Sequence, residues 1–108
     1  MSTSTRDGEQ LFWALADDLL KRPGVTRSTM MGYPCLRCDG AFVACVESKT
    51  GRLVVKLPSD RVLELVSSGR AVPFAPNGKA FREWAAFPAP IRKQWAAILD
   101  EARRFASP

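Results

Sequence analysis

The chain has 108 residues, 46% of them hydrophobic and 25% charged, the profile of one globular domain and not of a disordered tract. Lysine and arginine total 16 against 11 acids, a formal charge of +5, and histidine is absent, which removes imidazole triads, most zinc sites and the usual general base near neutral pH. No apolar stretch approaches the roughly 20 residues of a membrane helix, and the polar residues 1–8 hold no signal-peptide core, so a cytoplasmic location and no membrane role are expected.

Residues 1–6 are expected to form a disordered tail, and residues 7–108 a single domain. A first helix is predicted to begin between Asp7 and Glu9 and to end near Lys21, before Pro23 and Gly24. Leu11, Phe12, Leu15, Ala16, Leu19 and Leu20 form its buried stripe, with Asp17 and Asp18 facing outward. A meander of short strands follows, near 26–30, 35–38, 41–47 and 52–57. Asp39-Gly40 reads as a two-residue hairpin turn and Lys49-Thr50-Gly51 as a longer one.

The segment from Arg52 to Phe74 is the most legible. Leu53, Val55 and Leu57 alternate with Val54 and Lys56, the two-residue period of a strand. Pro58, Ser59 and Asp60 stop that strand, and a side-chain oxygen there is expected to cap a helix over 59–68. Val62, Leu63, Leu65 and Val66 give the helix an apolar face, and Gly69 suits the left-handed residue that ends it. Strands are predicted near 71–74 and 80–87, the second placing Arg82 and Trp84 on one face. A last helix runs from Pro88 and Pro90 to about Phe105, with Ile91, Trp95, Ile98, Leu99, Ala102 and Phe105 at helical spacing. The predicted class is α+β: an antiparallel sheet with helices packed on one face.

Charge is uneven along the chain. Residues 1–20 carry a net −3, residues 21–61 a net +5 and residues 62–108 a net +3. A basic domain with an acidic first helix can approach a polyanion along one side, or it can carry ordinary solvated charge. Cys35 and Cys38 have the spacing of redox and zinc motifs. On a strand, however, residues three apart point to opposite faces, and only Cys45 adds a further thiol. Small strand residues are the simpler reading, and no metal or cofactor is expected. Trp13, Trp84 and Trp95 are candidates for base stacking or for core packing, with Trp95 assigned to the core. The carboxylates do not cluster, so no catalytic residue is assigned and the protein is read as a non-enzyme. The two glycine turns, Ser48 to Arg52 and Pro76 to Lys79, put cations on flexible backbone, as phosphate-gripping wings do.

Arg27-Ser-Thr-Met-Met-Gly-Tyr-Pro34, Leu36-Arg-Cys-Asp-Gly-Ala-Phe42, Arg52-Leu-Val-Val-Lys-Leu-Pro58, Ser68-Gly-Arg70, Pro73-Phe74, Glu83-Trp84 and Trp95 stand in an order and spacing that resembles the MmcQ/YjbR-like proteins. A Met-Phe-Gly element akin to Met30-Met31-Gly32 occurs in the related N-terminal domain of TfoX-type competence regulators. The resemblance spans about residues 10–106. It implies a compact α-β-β-β-α-β-β-α domain akin to the type III secretion chaperone fold, and it carries a DNA-binding label for the family.

The leading expectation is a small non-enzymatic module that binds DNA weakly through phosphates, using Lys49, Arg52, Lys79 and Arg82, with Arg27 and Arg37 as supplements. The alternative is a protein-interaction module that forms a homodimer through an exposed sheet face bearing Trp84. A third reading is a small-molecule pocket near Met30, Met31 and Tyr33.

Overall fold

A computed structural model describes residues 5–30, 32–47, 49–75 and 78–106. Three helices, α1 (Thr5–Leu19), α2 (Ser59–Ser67) and α3 (Arg92–Ala106), accompany six strands: β1 (Val25–Met30), β2 (Tyr33–Cys38), β3 (Ala41–Val46), β4 (Leu53–Lys56), β5 (Val72–Pro73) and β6 (Trp84–Phe87). The strands form one sheet in the order β1-β2-β3-β4-β6-β5, every pair antiparallel. This is the expected α+β class. The first meander contributes four strands, the number read along the chain and one more than the pattern implied by the resemblance. Residues 1–4 of the expected tail lie outside the described residues, whereas Thr5 and Arg6 already belong to α1.

Local chemistry explains the sharpest boundaries. Asp39 (φ 51°) and Gly40 (φ 86°) both sit at positive φ, the requirement of the type I′ turn that matches strand twist. Helix α2 ends on a Schellman motif. Gly69 takes φ 79°, its N–H donates to the Val66 carbonyl at 3.1 Å, and the Arg70 N–H donates to the Leu65 carbonyl at 3.0 Å. Its start differs from expectation. Pro58 is the N-cap residue and, among the described residues, no side chain caps the first turn and the Asp60 carboxylate accepts only from the adjacent Arg61 N–H at 3.0 Å.

The sheet has two buried faces. On one, Leu36, Ala44, Leu53, Val55, Ala85 and Phe87 meet all three helices through Phe12, Leu15, Ala16, Val62, Leu65, Trp95, Ile98 and Leu99. The helices thus share one face, as predicted. On the other, Cys35, Cys45, Val54 and Ala86 lie in a cross-strand row beneath Phe42, Phe74 and the half-buried Met30, Tyr33 and Trp84. A bulge makes this arrangement. Leu36 pairs with Ala44 but Arg37 with Phe42, so Val43 is the extra residue; it joins the helix-side core, and Phe42 turns to the opposite face.

Several residues sit differently from the periodicity. Leu63 is 67% exposed and Ile91 52%, so neither belongs to its helix's buried stripe. Strand β6 begins only at Trp84; Phe81, Arg82 and Glu83 form a turn, closed by the Trp84 N–H donating to the Phe81 carbonyl at 3.1 Å. At the other end of the sheet, Gly8 of α1 packs directly on the backbone of Gly51 in the β3–β4 turn.

Candidate functional site

Strand register decides where the predicted cations fall. Leu53 pairs with Phe87 and Lys56 with Trp84, so the turn carrying Lys49 and the turn carrying Arg82 lie at opposite ends of the sheet. The two wings do not meet at one tip. Arg52 is tied down: its Nε donates to Glu47 Oε1 at 2.7 Å and its Nη2 lies 2.6 Å from the same oxygen. Thr50 Oγ1 also donates to that oxygen at 2.9 Å, so the buried Glu47 organises the whole turn. Nothing in the local pattern flags this carboxylate, because the pairing runs across a hairpin.

Arg27 and Arg37 are also engaged. The Arg27 guanidinium carbon lies 4.2 Å from the centre of the Trp13 ring on α1, a cation–π contact. Arg37 Nε donates to Ser28 Oγ at 3.3 Å and its Nη1 to the Gly40 carbonyl at 3.0 Å. By contrast, Lys49, Lys79 and Arg82 are exposed and have no hydrogen-bonded or ionic partner among the described residues.

The charge is divided unevenly between the helices and the rest of the chain. The three helices carry six cations against eight anions, whereas the strands and connecting segments carry ten against three. On α2 and α3 part of the charge is paired. Arg61 donates from Nε to Glu101 Oε2 at 2.8 Å and also binds Glu64, and Glu101 holds its guanidinium more firmly protonated than usual. Asp100 accepts from Arg103 Nη2 at 2.9 Å and pairs with Arg104 at 2.7 Å, which together hold its carboxyl below the usual range.

Trp84 does not face an open sheet surface. Its ring stacks on Phe42 at 4.6 Å and 13° and on Phe74 at 5.4 Å and 28°, and Phe81 meets it edge-on at 5.1 Å. These rings are mutually satisfied, and they cover the row of small residues beneath.

Cys35 and Cys38 diverge to opposite faces, as the strand spacing requires. The true neighbours are Cys35 and Cys45, paired across β2 and β3 as buried free thiols. Burial raises both above the ordinary thiol range, with Cys45 pushed up to about 12 by burial and the nearby Cys35 and Glu47. Such thiols are poor nucleophiles. Among the described residues no group of three or more potential metal ligands forms.

A large concavity lies elsewhere than the predicted pocket. Met30 and Tyr33 pack onto the second core cluster, and Met31 lies outside the described residues. The groove opens instead between α2 and the turn before β6, with a volume of about 490 Å³. Val62, Leu63 and Val66 form one wall, Phe81 and Trp84 the other, and Ser59, Asp60 and Arg82 supply its polar groups. Sequence reasoning missed it because Leu63 and Val66 read as part of one core-facing stripe on the helix.

Compared with models of protein families, with curated proteins and with solved structures, the chain finds no match. Among the described residues no helix is long and apolar enough to cross a membrane.

Proposed function

We propose that this chain is a non-enzymatic binding module that grips DNA weakly through phosphates, using exposed cations on its turns. The observation that carries the reading is the excess of cations outside the helices, ten against three anions, with Lys49, Lys79 and Arg82 exposed on turns and without an ionic partner among the described residues. Free cations on turns release condensed counterions from DNA, whereas Arg52, already neutralised by Glu47, offers little. Kinship with MmcQ/YjbR-like proteins belongs to the same proposal and rests on the ordered motifs. The absence of histidine and the burial of all three thiols support a role without catalysis.

Three phosphate contacts correspond to a slope of about −2.7 in log affinity against log salt. Anisotropy of a labelled duplex titrated at several salt concentrations measures that slope. In the double variant Lys49→Glu/Lys79→Glu it should fall to about −0.9, with binding lost at physiological salt. An unchanged slope, or no binding by the parent protein at low salt, refutes the reading.

A further inference from the structure

Helix α2 carries two apolar stripes, not one. Val62 and Leu65, three residues apart, face the sheet and are buried. Leu63 and Val66, offset by one position, border the groove together with Val62, and Leu63 is left 67% exposed. The opposite wall is rigid. Phe81 and Trp84 are linked by a backbone hydrogen bond, the Phe81 N–H donates to the Phe74 carbonyl at 3.0 Å, and both rings rest on Phe74. The groove is therefore preformed. Its volume of about 490 Å³ falls within the range of small-ligand sites, roughly 300–1,000 Å³.

The polar groups at its rim are of unequal availability. The Asp60 carboxylate accepts from the Arg61 N–H and stands in the first turn of α2, where the helix dipole favours it. Arg61 itself is consumed by Glu101 and Glu64. Arg82 has no partner among the described residues, and the first turn of α2 has no side-chain cap. Asp60 likewise has no ion-pair partner among the described residues, but it stands at the positive end of α2, which offsets part of its charge, whereas Arg82 has no such compensation.

We propose that the groove binds a small amphipathic carboxylate, its apolar tail between α2 and the Phe81–Trp84 wall and its carboxylate on Arg82. A neutral apolar ligand would leave the guanidinium unused, and a cationic one would meet it in repulsion. This site does not depend on the DNA reading, whose test changes Lys49 and Lys79 and leaves the groove intact.

The test titrates the isotopically labelled protein with octanoate, octanol and octylammonium, three head groups on one tail, and follows backbone and indole N–H chemical shifts. Octanoate at millimolar concentration should shift Leu63, Val66, Phe81 and Trp84, with octanol weaker and octylammonium weaker still. Arg82→Gln should weaken octanoate about threefold, to the level of octanol, as loss of an exposed ion pair does. Lys79→Gln should leave it unchanged, and Leu63→Glu, at an exposed position, should abolish binding. The proposal fails if octanoate shifts no groove residue, if the three head groups bind alike, or if Lys79→Gln costs as much as Arg82→Gln.

Discussion

Replacing Gly8 by alanine sets two effects of opposite sign against each other. Alanine is the better helix former by about 1 kcal/mol in a helix interior, and less in the first turns of α1 where residue 8 stands. Helix propensity alone therefore predicts a modest gain. A Cβ on residue 8, however, would lie 2.0 Å from the Gly51 carbonyl oxygen and 2.8 Å from its carbonyl carbon. Both are backbone atoms, and Gly51 holds φ 74° in a turn braced by hydrogen bonds to the Glu47 carbonyl. To reach ordinary contact, α1 or the turn must move by more than 1 Å, and overpacking of that kind costs about 1–3 kcal/mol. The expected net is a loss of about 1–2 kcal/mol, or roughly 4–10 °C in Tm for a domain of this size. Urea unfolding followed by far-UV circular dichroism, alongside a thermal melt, measures it. A Gly8→Ala protein as stable as the parent, or more so, would show that α1 does not rest on the turn in this way.

Two further outcomes follow from the packing. Trp84→Ala should cost about 3 kcal/mol in urea unfolding, since it deletes the ring shared by Phe42, Phe74 and Phe81, and it should leave the sedimentation behaviour unchanged. A cost under about 1 kcal/mol together with altered assembly would instead make Trp84 an interface residue. For Asp100, the hydrogen bond from Arg103 and the charge of Arg104 depress the folded-state value, so its stabilisation is present above the unfolded value of about 3.9 and is lost as pH falls through the folded value. Asp100→Asn should be less stable than the parent at pH 7, with the gap closing below about pH 4; a gap independent of pH would rule out this carboxylate as the source.

Legibility tracked the range of the chemistry involved. Asp39-Gly40 and the segment from Pro58 to Gly69 were readable because turn and cap preferences act within four or five residues. One miss there was the cap itself, where Pro58 displaced the expected side-chain oxygen. Periodicity reports that a residue is apolar, not which neighbour covers it, so Leu63 and Ile91 were assigned to faces that the fold leaves open. The groove follows from the same ambiguity. Register is a longer-range property still. It separates the turns of Lys49 and Arg82, brings Cys45 to Cys35, and lets Glu47 claim Arg52, and no spacing along one strand encodes any of these.

The two borders of the sheet are not equivalent. Strand β5 is two residues long and one of them is Pro73, which has no N–H to offer a newcomer. Strand β1 presents six residues, with Thr26, Arg27 and Thr29 exposed along it. Recruitment of a further strand is thus confined to one side. Two copies joined β1 to β1 by a twofold axis would make a ribbon twice as wide, bounded at both ends by proline. Such growth stops after a single step, so this architecture tolerates pairing without opening a route to fibres.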